Sequence, residues 1–86
     1  MRESVIEDYL IRRVREVGGA TRKVQWIGRR GAPDRAVFFP GGRLIWVEVK
    51  ATGEQPTHYQ HDEHARLRRL GQWVEVIDSL EAVEAL

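Results

Sequence analysis

The chain has 86 residues, 42% of them apolar, and no cysteine. That size makes one small domain with a thin core, to which a second copy would add burial, and it excludes disulfides and thiolate metal sites. The net charge of +1 hides an asymmetry: residues 1–50 carry eleven Lys/Arg against six Asp/Glu, a net of +5, and residues 51–86 carry three against seven, a net of −4.

No apolar run approaches the length that crosses a bilayer. The charged opening residues Arg2, Glu3, Glu7 and Asp8 do not read as a secretory leader, so a cytoplasmic protein is expected. The basic first half suits a phosphate backbone, where cations displace condensed counterions.

Residues 3–17 read as an amphipathic helix, with Val5, Ile6, Tyr9, Leu10, Val14 and Val17 at three- and four-residue spacing and Arg12, Arg13 and Arg15 mostly opposite. Gly18-Gly19 ends it. The β-branched and aromatic run 21–27 reads as a strand, and the glycines, proline and arginines of 28–33 as a loop. Residues 34–39 form a second strand, Pro40-Gly41-Gly42 a turn, and 43–51 a third strand returning as a hairpin. After a loop at 52–56, a helix is expected from about Thr57 to Leu70, stopped by Gly71. A strand at 73–77 and a helical turn or two at 79–86 complete one α/β domain over residues 1–86, in the order αβββαβ.

The third strand carries the first chemical signal. In Ile45-Trp46-Val47-Glu48-Val49-Lys50, alternation puts Ile45, Val47 and Val49 on one face and Trp46, Glu48 and Lys50 on the other. Taken alone, Glu48 and Lys50 read as a charge pair at the exposed end of a strand. Asp34, after Gly31-Ala32-Pro33, reads alone as a strand-entry residue satisfying a turn. A hairpin turning at Gly41-Gly42 brings Asp34 opposite Glu48 and Lys50, so two carboxylates and an ammonium converge. Carboxylate oxygens suit Mg²⁺ or Mn²⁺, hard ions that keep waters to share with a phosphate. Lys50 is then the group to hold an attacking water or the charge growing on the scissile phosphate.

Pro33-Asp34 followed by Glu48-Val49-Lys50 resembles the PD-(D/E)xK nuclease signature. The wider run Gly28-Arg29-Arg30-Gly31-Ala32-Pro33-Asp34-Arg35, with Gly53 through Gln60, is similar to the virus-type replication-repair nuclease (VRR-NUC) family. The resemblance covers nearly the whole chain. It implies an αβββαβ restriction-endonuclease-like core with a central mixed sheet flanked by helices, dependence on Mg²⁺ or Mn²⁺, and phosphodiester hydrolysis. It also implies Asp34, Glu48 and the Val49 carbonyl as metal ligands. A glutamate on the first helix is implied as an outer ligand, with Glu7 preferred to Glu3, and Gln60 as the helix glutamine near the centre. Phage and bacterial members resemble Holliday-junction resolvases in forming homodimers, while larger relatives cut flapped repair intermediates.

Competing roles stay open for several of these residues. Ser4-Val5-Ile6-Glu7 and Thr57-His58-Tyr59-Gln60 both spell capping boxes. His58, His61 and His64 diverge by roughly 60° per step on a helix of ~100° per residue, which disfavours zinc and leaves His61 or His64 to face DNA. Lys23, Arg29, Arg30 and Arg35 are the expected phosphate contacts. Trp26, Trp46 and Trp73 are expected in strands, as core or interface. No base-reading motif is evident, so the expected partner is branched or junction DNA recognised by shape. A flap or end nuclease of the same fold, a non-catalytic nucleic-acid-binding module and an interaction scaffold are the alternatives.

Overall fold

The computed structural model describes residues 1–86. Helix α1 (Glu3–Glu16) leads through Gly18-Gly19 into β1 (Ala20–Lys23), β2 (Arg35–Phe38) and β3 (Leu44–Val49). Helix α2 (His58–Arg69), β4 (Val74–Ile77) and α3 (Leu80–Glu84) follow. The strands lie side by side in chain order, β1, β2 and β3 antiparallel and β4 parallel to β3. A parallel neighbour needs a crossover, and the connection through α2 supplies it. The mixed sheet and αβββαβ order expected from the sequence are both present.

Alternation divides the sheet into two unlike faces. Ile6, Leu10 and Val14 of α1 meet Val37, Ile45, Val47, Val49 and Ile77 of the sheet and Val83 of α3 in one apolar cluster. Each such side chain contributes roughly 1.5–3 kcal/mol by leaving water. The opposite face carries Ala36, Trp46 and Glu48, and α2 covers part of it with Glu63, His64 and Leu67 buried.

The structure corrects the sequence reading in three places. The first strand stops at Lys23, not Ile27, because β2 begins only at Arg35 and just one further bond, from the Val24 N–H to the Asp34 carbonyl, follows. Trp26 consequently lies in the loop, where its indole N–H donates to the Pro33 carbonyl at 2.7 Å and its ring meets Trp46 edge-on. Trp73 precedes β4 and is 44% exposed. At the start of α1 no capping box forms: Arg2 is the N-cap without a side-chain bond. The second capping box does form, Thr57 Oγ1 accepting from the Gln60 backbone N–H and the Gln60 side chain accepting from the Thr57 N–H.

Candidate active site

The β2–β3 ladder pairs Arg35 with Val47. Continued by one residue, that register sets Asp34 against Glu48, on the face away from α1. The β3–β4 side continues in the other direction, the Lys50 backbone N–H donating to the Ile77 carbonyl at 2.8 Å. Lys50 therefore stands two residues beyond Glu48 on the same face, at the end of the strand. The next loop is tied down as well: Thr52 Oγ1 and the Gly53 N–H both bond to Asp78, at its carbonyl and carboxylate.

The corner before Asp34 is held from two sides. Trp26 bonds Pro33, as above, and the Asp34 carbonyl accepts from the Val24 N–H at 2.8 Å. Gly31, at φ +84°, lies so close to α2 that a Cβ there would sit 2.4 Å from the Tyr59 carbonyl oxygen. A backbone clash of that kind cannot be relieved by a rotamer change, so the site needs glycine. Arg30 lies over the Tyr59 ring, 3.6 Å from its centroid, which adds a cation–π contact to the same seam.

Asp34 opens onto a cleft of about 530 Å³ with Lys23, Val24, Gln25, Trp26, Arg29, Gly31 and Ala32. Lys23 Nζ lies 3.5 Å from Asp34 Oδ2, both largely exposed. Glu48 is not part of that cleft: it is 9% exposed, and the ionisable group approaching it is His64, with Nε2 3.6 Å from Oε1. Arg29 and Arg30 are exposed, as the loop reading expected.

Arg35 and His64 differ from that reading. Arg35 is not a surface cation: alternation turns it onto the α1 face, where it is 9% exposed and its Nη2 donates to Glu7 Oε2 at 2.7 Å. Glu7 thus serves as partner to a buried guanidinium. His64 does not face solvent, being 2% exposed. The signal was in the sequence: Gln60, His64 and Leu67 sit at four- and three-residue spacing, which puts His64 on the buried stripe of α2. His58 and His61 are the exposed histidines, each near Asp62.

Carboxylate oxygens such as those of Asp34 and Glu48 are of the kind that suits a hard cation. No three His, Asp or Glu side chains cluster at metal-binding distance, whereas Mg²⁺ is commonly held by one or two carboxylates with waters filling the remaining positions. Arg35 is committed to Glu7, whereas Lys23 and Asp34 approach to 3.5 Å and both stay largely exposed. The buried Glu48 carboxylate is left with an imidazole as neighbour, which fits a position where a cation completes the charge balance.

A central strand bearing Glu-x-Lys, an antiparallel neighbour entered through Pro-Asp, and a helix crossover are the marks of a nuclease domain of the PD-(D/E)xK type. No family model matches the chain. A phage protein named "Putative nuclease p44", from Acyrthosiphon pisum secondary endosymbiont phage 1, is 53% identical over 79 residues, spanning 92% of this chain and 85% of the relative. A solved structure described as "VRR_NUC domain" superposes with a TM-score of 0.89 at 36% identity, over 98% of this chain and 91% of the other. The chain belongs to the VRR-NUC nuclease family.

Proposed function

We propose that this protein is a Mg²⁺- or Mn²⁺-dependent, structure-specific DNA endonuclease that acts on branched DNA as a homodimer. The observation that supports it most is the register that sets Asp34 against Glu48, beside a cleft bordered by Lys23 and Arg29. Asp34, Glu48 and the Val49 carbonyl are the ligands in this reading. A bound divalent ion would supply Lewis acidity, lowering the pKa of a water and offsetting charge on the scissile phosphate.

The chain's own groups do the rest. Lys50 orients the attacking water or donates to the phosphate oxygens as negative charge grows there. Lys23, Arg29 and Arg30 hold flanking phosphates, a contact that fixes position without reading sequence. Glu7 acts at one remove, anchoring Arg35 next to Asp34. Gln60 likewise sets the start of α2 beside Gly31 through its capping box.

In this reading the exposed Ile27, Phe38, Leu70 and Trp73 are the apolar groups available to a second copy. A two-fold dimer would present two centres to a four-way junction. No helix is long and apolar enough to cross a membrane, and action in the cytoplasm of a bacterial or phage-infected cell belongs to the same proposal.

The test is cleavage of labelled four-way junction, flap, duplex and single strand with Mg²⁺, Mn²⁺ or EDTA. Cutting should require metal, favour branched substrates, and fall at least about 10²-fold in Lys50→Ala. Cleavage that persists in EDTA or in Lys50→Ala would overturn the mechanism. Cutting of flaps but not junctions would replace the resolvase-like substrate by a flap. Sedimentation of the free protein as a monomer would remove the dimer.

A further inference from the structure

Two buried side-chain nitrogens lack a hydrogen-bond partner: Arg35 Nε, whose guanidinium is already bonded to Glu7 through Nη2, and His64 Nε2. His64 Nε2 lies 3.6 Å from Glu48 Oε1. The two residues are 2% and 9% exposed. Burying either group alone is costly, because each loses water without recovering a bond. Together they are complementary when the imidazole carries its proton on Nε2, since that nitrogen then donates and a carboxylate only accepts.

Neither group is there for want of an apolar substitute. The neighbouring buried positions on the same side, Leu67 and Val74, are aliphatic. The separation of Nε2 from Oε1 is a few tenths of an ångström outside hydrogen-bond range.

We propose that His64 is a positioning residue for Glu48. Its Nε2–H fixes Oε1 of the carboxylate and leaves the other oxygen to face the cation site shared with Asp34. This rests on the reading of Glu48 as a metal ligand and goes beyond it by assigning the group that orients that ligand. Outer partners of this type hold a ligand in its bound geometry before the ion arrives, and their loss typically weakens metal binding. His64 touches no reacting atom in this arrangement.

Two measurements test it, neither of them a cleavage assay. Nitrogen-15 correlation spectra of the metal-free protein should show His64 in the Nε2–H tautomer. An Nδ1–H tautomer would overturn the proposal. Binding of Mn²⁺ alone, followed by electron paramagnetic resonance, should weaken roughly 10–100-fold in His64→Leu and recover to within about threefold of wild type in His64→Gln, whose amide N–H reaches near the Nε2 position. Equal affinity of wild type and a folded His64→Leu would sink the assignment. If the wild type binds no Mn²⁺, the metal reading of Glu48 fails instead, and the tautomer still decides whether the bond to His64 exists.

Discussion

The two faces of the sheet are built to different ends. Toward α1 and α3 the contacts are aliphatic, and the one buried cation, Arg35, has its carboxylate partner in Glu7. Toward α2 the same strands present Glu48 next to an unpartnered imidazole nitrogen, with Asp34 at the mouth of an open cleft. The first face pairs its buried charge, leaving only Arg35 Nε without a hydrogen bond, and carries stability. The other leaves a buried carboxylate beside an imidazole with no hydrogen bond between them, a cost that a bound ligand would offset. A period-two strand lets both demands share the same few residues, since changing position by one changes the face.

Breaking the first face should cost stability above all. Leu10→Ala removes a side chain with no exposed surface from the centre of the cluster. Thermal unfolding should report a loss of about 3 kcal/mol, with cleavage unchanged at temperatures where the variant is folded. A loss below about 1 kcal/mol would mean that the core lies elsewhere.

Glu7→Ala should come next, leaving the Arg35 guanidinium buried without a counter-charge at a cost of roughly 2–3 kcal/mol. The double change Glu7→Leu with Arg35→Met should recover most of it, because an apolar pair needs no charge balance. If the double variant is as unstable as the single one, the ion pair is doing something other than compensating burial.

The second face should behave in the opposite sense. Glu48→Gln keeps shape and removes a buried charge, so the melting temperature without divalent ions should rise by a few degrees, corresponding to about 1 kcal/mol. Mn²⁺ binding should be lost in the same variant. A fall in melting temperature would mean that the carboxylate is stabilised within the fold, as Glu7 is, and would erase the contrast between the faces.

The smallest effect is expected at the surface seam between α1 and α3. The hydrogen bonds from Arg13, and then from Tyr9, hold the Glu84 carboxyl down at about 2. The Arg13 guanidinium is raised in turn. A depressed folded-state value means that the contribution is present above the ordinary carboxylate range and is lost as pH falls from about 4.5 through about 2. Glu84→Gln should flatten the pH dependence of the melting temperature in that window and little else. An unchanged acid profile would show that the seam contributes nothing measurable, as many exposed pairs do.

The elements themselves were legible because they are written in local patterns. The 3.6-residue spacing of Ile6, Leu10 and Val14 marks α1, Thr57 and Gln60 mark the start of α2, and the Pro40-Gly41-Gly42 turn fixes the hairpin. That hairpin was enough to align Asp34 with the Glu48 strand, since antiparallel register follows from where a turn falls. The end of β1 was not legible, because a strand continues only while a neighbour continues, and β2 starts late. The fate of Arg35 was hidden for a similar reason. It sits in a basic run that reads as solvent-facing, yet alternation within β2 turns it toward Glu7, which is remote in sequence.

By itself the sequence determined the element order, the hairpin and the set of residues able to hold a cation or a phosphate, because these depend on spacing and residue type over short distances. Only the tertiary structure decided which charges are spent on one another. It joined Glu7 to Arg35 and Lys23 to Asp34, seated Gly31 against Tyr59, and turned His64 inward to Glu48. Each of these pairings crosses between elements, and whether a charge is free or compensated depends on what packing brings within a few ångströms of it.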